Sequence, residues 1–168
     1  MTQIPKMIHQ LWIGDKPIPD YIKKFTDEMP VINQGYGHRL WGNEVFDHYS
    51  DDEFLKSYMK SPDIYRWVFI CDRIRCLLLD EFGGIYCDSD CKPIQLFDLI
   101  LNKLNEDITF FTGLKPTQNN NTLFDCTVYG YSHSTRLIRE FGREKVNKFN
   151  LYTKFLCISE GAGPRTET

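Results

Sequence analysis

Asp88 and Asp90 stand two residues apart in the run Ile85-Tyr86-Cys87-Asp88-Ser89-Asp90. Read as a strand, this run puts both carboxylates and Tyr86 on one face, with the acids roughly 7 Å apart at Cα and Ser89 on the other face. Carboxylates that close repel each other unless a cation stands between or beside them. A hard divalent ion with oxygen ligands suits such a pair, and an ion held by only two side chains keeps positions open for phosphate oxygens. An isolated Asp-x-Asp is frequent by chance and usually marks a solvated turn. Here it follows an apolar helical stretch, two glycines and an apolar strand start.

A second polar pair lies upstream. Wound as a helix, residues 62–82 place Trp67, Cys71, Ile74 and Leu78 on one stripe of a wide apolar arc that also takes in Leu77, Ile70, Val68 and Leu79. Arg75 falls inside that arc and Asp72 at its edge, whereas Arg66, Arg73 and Asp80 fall on the opposite side, where charge is expected. A guanidinium among apolar neighbours is costly unless it is paired or hydrogen-bonded. Two explanations compete: a structural ion pair at three-residue spacing, or two groups that both point into a polar, ligand-holding cavity.

These side chains need elements to position them. Residues 7–13 read as a buried first strand ending at Gly14. Residues 20–29 read as a helix stopped by Pro30, residues 39–41 as a second strand, and residues 43–58 as short helices. The helix over 62–82 starts at Pro62, which suits a first turn, and ends at Gly83-Gly84, where glycine accepts a left-handed cap. A strand over 85–90 follows, then a loop and helix over 93–103. A strand over 108–111, a polar loop over 115–122, a strand over 126–131 and a helix over 134–143 complete the pattern. Alternating strands and helices predict an α/β sandwich around a mostly parallel sheet. The acids then lie at the C-terminal edge of their strand, where open α/β sheets bind ligands.

The rest of the chain bounds the function. Its 168 residues suit one domain. A net charge of −3 and the lack of a basic block make nucleic acid a poor partner. No run approaches the ~20 apolar residues that cross a bilayer, and residues 1–6 lack the pattern of a signal peptide. The expectation is a cytosolic chain. The six cysteines are expected as thiols, mostly buried, because the spacing of Cys71, Cys76, Cys87 and Cys91 matches no common zinc site. Asn120-Asn121-Thr122 is a sequon that matters only in a secreted protein.

Asp72-x-x-Arg75, a spacer, Gly83-Gly84-Ile85-Tyr86 and Asp88-x-Asp90 together resemble the sugar-binding DXD region of glycosyltransferases. The relatives are Och1-type mannosyltransferases, α1,4-galactosyltransferases and clostridial glucosylating toxins. Ile4-Pro5-Lys6-Met7-Ile8-His9-Gln10-Leu11-Trp12-Ile13-Gly14 is similar to the opening strand of that family, and Gly163-Pro164 resembles a late Gly-Pro. The resemblance implies a GT-A fold, a Rossmann-like α/β sandwich, over 1–168 as one domain. Relatives continue past the Gly-Pro with a further metal ligand and a lid, so a shortened tail is expected, with His133 a weak candidate for a compensating ligand.

Site roles follow from the same resemblance. Trp12 matches the aromatic that stacks on the nucleotide base, against the alternative of a core tryptophan, and Ile13 joins it in the donor site. Asp72 and Arg75 match contacts to the donor sugar and diphosphate. Asp88 matches a contact to ribose, sugar or metal shell, and Asp90 a direct metal ligand. Tyr86 lines the pocket or packs beneath it. His9 and Gln10 are read as satisfied structural polar residues. The implied reaction moves a hexose from a UDP-sugar, with GDP-sugars second, to an acceptor hydroxyl on a glycan, lipid or protein. It uses Mn2+ or Mg2+ and retains the anomeric configuration. Two rivals stand beside it. A glycoside hydrolase needs carboxyls on opposite sides of a bond, which two acids on one strand fit poorly. A catalytically silent nucleotide-sugar-binding module fits the short tail.

Overall fold

The first strand, β1 (Met7–Leu11), is buried from Ile8 to Leu11 and lies inside a five-stranded sheet of order β2-β1-β3-β6-β5. In this computed structural model, residues 4–102, 110–116, 122–131 and 157–159 are described. Strands β2 (Gly37–Trp41) and β3 (Gly84–Cys87) flank β1 and run parallel to it, with Ile8 opposite His38 and Ile85, and His9 opposite Tyr86. β6 (Thr122–Tyr131) pairs antiparallel with β3 and with β5 (Phe110–Pro116). Four of the five strands therefore point the same way and β6 is reversed, the mostly parallel sheet expected. A second, two-stranded sheet pairs β4 (Cys91–Pro93) with β7 (Cys157–Ser159).

Alternation along β1 and β3 sorts the core into two layers. Ile8, Ile85 and Cys87 pack with Met29, Tyr36, Cys91 and Phe97 on the side of helix α1 (Asp20–Ile32). Leu11, Tyr86 and Trp41 pack with Ile70, Ile74 and Leu78 on the side of helix α4 (Arg66–Phe82). Helices α2 (Val45–His48) and α3 (Glu53–Met59) extend that second layer through Val45 and Leu55, and α5 (Asp98–Leu101) follows β4. Among the described residues no helix is long and apolar enough to cross a membrane.

Several element boundaries differ from expectation. Pro30 lies inside α1 rather than ending it. It is near the C-terminus, so its missing N–H removes only a late hydrogen bond. Burial of Ile22, Phe25, Thr26 and Met29 holds the face, and Asn33 closes the end through its backbone and side-chain N–H groups, both donated to the Met29 carbonyl. Helix α4 starts at Arg66, not at Pro62. Ser61 and Asp63 draw the intervening backbone into side-chain turns: the Asp63 amide donates to Ser61 Oγ (3.1 Å) and the Tyr65 amide to Asp63 Oδ1 (2.8 Å). β5 and β6 extend into the stretch expected as a polar loop. The helix expected over 134–143, the sequon asparagines, His133 and Gly163-Pro164 lie outside the described residues.

Arg73, expected on the solvent side of α4, clamps α3. Asp52 caps α3 by accepting the Leu55 amide at 2.9 Å, and its other oxygen accepts two N–H groups of Arg73 at 3.0 and 2.6 Å. An N-cap of this kind contributes about 1 kcal/mol, and the arginine fork fixes the direction of the two helices.

Candidate donor-binding site

The end of α4 and the start of β3 determine where the acids stand. Gly83 caps the helix at φ 63°, its amide bonded to the Leu79 carbonyl at 2.9 Å, and Gly84 follows at φ 95°. Both angles lie in the left-handed region where only glycine is unstrained. The chain turns there from α4 directly into the middle of the sheet, and β3 is buried at every position.

β3 stops at Cys87. The strand expected over 85–90 is therefore two parts. Asp88 to Cys91 forms a tight turn closed by the Cys91 amide donating to the Asp88 carbonyl at 3.1 Å. Strand alternation does not govern Asp90, so the shared strand face and the spacing derived from it do not apply. The two acids instead share one turn, both half-buried, with Ser89 buried between them. Asn/Asp/Ser-rich stretches favour such turns because their side chains compete for backbone groups.

On the α4 side, four of the expected residues meet. Arg75 is 8% exposed and pairs with Asp72 one turn away, which is half exposed. Its guanidinium carbon lies 5.3 Å from the centre of the Tyr86 ring, within cation–π range. Tyr86 is buried. Burial first, then the charge of Asp88 and a hydrogen bond donated to its carboxylate, push the phenol well above its ordinary range, against the pull of Arg75. Cys71, a half-buried free thiol on the same helix, is pushed up to about 11 by burial, while Arg75 opposes and Asp88 and Asp72 reinforce the shift. Asp72, Arg75, Tyr86 and Asp88 thus form one electrostatic neighbourhood. Of the two readings of Asp72 and Arg75, the ion pair is present, and that pair borders the acidic turn. Cys71 belongs to that border and carried no signal beyond its place on the apolar stripe.

Trp12 and Ile13 follow the C-terminal end of β1 at the same sheet edge. Trp12 is half-buried and lies outside both core clusters. Its amide donates to the Trp41 carbonyl (2.8 Å) and its indole N–H to the Lys16 carbonyl (3.0 Å). Ile13 packs against the apolar layer under α4. Asn43 clasps the loop that follows, accepting the Gly14 amide at 2.8 Å and donating to the Gly14 carbonyl at 3.2 Å.

His9 and Gln10 are fully buried, and both are satisfied, as expected. Trp41 Nε1–H donates to His9 Nδ1 at 3.1 Å, which leaves His9 Nε2 to carry the proton donated to the Gly83 carbonyl at 3.0 Å. Burial holds the His9 imidazole below its usual range, against the raising effect of the Gly83 bond. Gln10 Nε2 donates to the Asp88 carbonyl at 3.3 Å, and Gln10 Oε1 lies 2.9 Å from His38 Nε2. The two polar residues of β1 therefore hold the helix cap and the acidic turn, tethers that the sequence pattern did not identify. The only available signal was two polar residues inside an apolar strand.

The donor set suits a hard cation. Two carboxylates share a partly exposed turn, and among the described residues no group of three or more His, Cys, Asp or Glu side chains gathers to hold an ion. An ion at Asp88 and Asp90 would draw its remaining ligands from a bound ligand and water, the habit of Mg2+ at phosphates.

No protein-family model matches the chain. It is similar to a mimivirus protein from Acanthamoeba polyphaga mimivirus, "Uncharacterized glycosyltransferase L373", at 33% identity over 133 residues, covering 73% of this chain and 53% of that protein. It is also similar to two proteins of Saccharomyces cerevisiae named mannosyl phosphorylinositol ceramide synthase. SUR1 is 27% identical over 107 residues, covering 60% of this chain and 28% of that protein. CSH1 is 25% identical over 162 residues, covering 96% and 40%. The chain spans about half the length, or less, of these curated relatives. Among solved structures, PaToxG glycosyltransferase superposes with a TM-score of 0.50 at 18% identity, covering 77% of this chain and 56% of that one. The fold is the GT-A glycosyltransferase fold.

Proposed function

We propose that this chain binds a nucleotide-sugar donor at the edge formed by Trp12, Ile13, Asp72, Arg75, Tyr86, Asp88 and Asp90, and transfers its hexose to an acceptor hydroxyl. The observation that carries this reading is the convergence of Arg75, Asp72, Tyr86 and the acidic turn at the C-terminal end of β3. The similarity to glycosyltransferases supports it. Trp12 offers an aromatic face for the base, and Ile13 an apolar floor beside it. Arg75, fixed by Asp72 and by the Tyr86 ring, presents a preorganised positive charge to a diphosphate as negative charge develops on it. Asp88 and Asp90 would hold Mn2+ or Mg2+, which would supply Lewis-acid stabilisation of the leaving diphosphate. Tyr86, protonated throughout the working pH range, keeps its O–H on the Asp88 carboxylate. Retention of the anomeric configuration belongs to the same proposal.

UDP-sugars are the first choice of donor and GDP-sugars the second. Two relatives are named mannosyl phosphorylinositol ceramide synthase, so mannose donors and lipid acceptors belong in the panel. The test is calorimetric titration of UDP- and GDP-sugars with and without Mn2+, followed by product analysis. Metal-dependent binding of one donor, with sugar released or transferred, is the expected result. Absence of binding to every donor defeats the proposal, and binding without turnover replaces it with a silent binding module.

A further inference from the structure

We propose that Gln10 and His38 are positioning residues that set the orientation of the acidic turn through its first carbonyl. A fully buried glutamine is a costly choice unless both ends of its amide are engaged. Both ends are: Nε2 donates to the Asp88 carbonyl at 3.3 Å, and Oε1 accepts from His38 Nε2 at 2.9 Å. The Asp88 carbonyl fixes which way the amide points, because the reversed amide would set two oxygens against each other. That orientation in turn assigns the His38 proton to Nε2. His38 sits opposite Ile8 in the β1–β2 register, so it shares the α1 side of the sheet with Gln10.

The tether acts at a hinge. β3 is held on both sides, by β1 up to Tyr86 and by β6 up to Cys87. Beyond it the chain leaves the sheet, and the Asp88 carbonyl is both the acceptor that closes the turn onto Cys91 and the acceptor for Gln10. The Asp88 carboxylate is engaged from the α4 side by Tyr86. One residue is therefore gripped from both faces of the sheet. Replacing Gln10 by an apolar side chain of similar length leaves the packing filled and the turn closed, but frees the turn to rotate about its junction with β3. The folding cost is small, because His38 is only half-buried and the Asp88 carbonyl keeps the Cys91 amide, and the larger loss falls on ligand affinity.

The inference rests on the donor-site reading, and the test separates the two. Ligand-free melting and calorimetric titration of UDP in the presence of MnCl2 are measured for the wild type, Gln10→Leu, His38→Leu and His38→Gln. A glutamine at 38 can still donate an N–H near the position of His38 Nε2. Gln10→Leu is expected to melt within about 3 °C of the wild type and to bind UDP about tenfold more weakly. His38→Leu should lose affinity, and His38→Gln should restore it. Wild-type affinity in Gln10→Leu overturns the proposal. If Gln10→Leu does not fold, equal UDP affinity in His38→Leu and His38→Gln overturns it. A wild type that binds no UDP with Mn2+ removes the donor-site reading and this inference together, a result distinct from a binding wild type with indifferent variants.

Discussion

Gly84 and Met7 meet backbone to backbone: a Cβ placed on Gly84 would lie 2.4 Å from the Met7 carbonyl oxygen. The residue in the way is main chain of the neighbouring strand β1, so it cannot rotate aside. Gly84 also holds φ 95°, which costs a non-glycine residue about 1–3 kcal/mol before any clash. Gly84→Ala is therefore expected to destabilise the fold by about 3 kcal/mol or more, read by denaturant unfolding. A loss below about 1 kcal/mol would show that β1 and β3 do not approach as described.

Asp90 stands in the turn outside the strand, half-buried. Asp90→Asn should remove the Mn2+ dependence of UDP binding, read by calorimetric titration with and without MnCl2. Retention of metal-dependent affinity at the wild-type level would take Asp90 out of the metal site.

Trp12 packs in neither core cluster. Trp12→Ala should weaken UDP binding by the worth of one base stack, about 1–3 kcal/mol, with little loss of stability. A collapse of melting with unchanged affinity would assign the indole to holding the loop through the Lys16 carbonyl.

Arg75 is buried while its partner Asp72 remains half exposed. Removing the arginine leaves a carboxylate that water can still solvate, so Arg75→Met should cost about 1–2 kcal/mol of stability at most. Donor affinity should fall by more than about tenfold. Arg75→Lys should not restore it, because an ammonium lacks the planar fork that spans Asp72, the Tyr86 face and a diphosphate. Full rescue by lysine would reduce the role to a point charge.

Stability should fall on mild acidification. Burial lowers the folded-state pKa of both His9 and His38 from the usual 6.5. The unfolded chain then takes up protons first, so the histidine contribution is complete above about pH 6.5 and is lost as pH falls through the folded values. Melting temperatures between pH 7.5 and 5.5 should decline, and His9→Gln should flatten that slope. Asp98 is held low by bonds from Tyr36 and then Lys6, so its loss begins only near its ordinary 3.8 and does not mask the histidine step. An unchanged melting temperature across that interval would contradict a buried neutral His9.

Much of the site was legible because the signals were local and chemically odd. The apolar stripe of α4 exposed Arg75 as a misfit, and the glycine pair fixed where the helix had to stop. Helical periodicity survives in the α4 core, where Ile70, Ile74 and Leu78 are fully buried. What the pattern did not give was set by competition between local and distant groups. Ser61 and Asp63 delayed the helix by bonding the backbone themselves. Pro30 was absorbed because α1 buries one face against the sheet. Asp88 left the strand because its carbonyl was recruited by Cys91 and Gln10. The Gln10–His38 link joins residues 28 apart, and Gln10–Asp88 residues 78 apart, distances at which periodicity carries no information.

The tethers of β1 also set an order of events during synthesis. His9 reaches across 74 residues to Gly83, and contacts of such separation close late because the intervening chain must first surrender its freedom. Until residues 83–88 leave the ribosome, His9 and Gln10 have only their β2 partners, Trp41 and His38, and the first strand keeps an apolar edge open to other chains. Maturation of the ligand edge is thus timed by the arrival of β3, and a nascent chain stalled before it would hold every element of α1 and β2 yet have no acidic turn to orient.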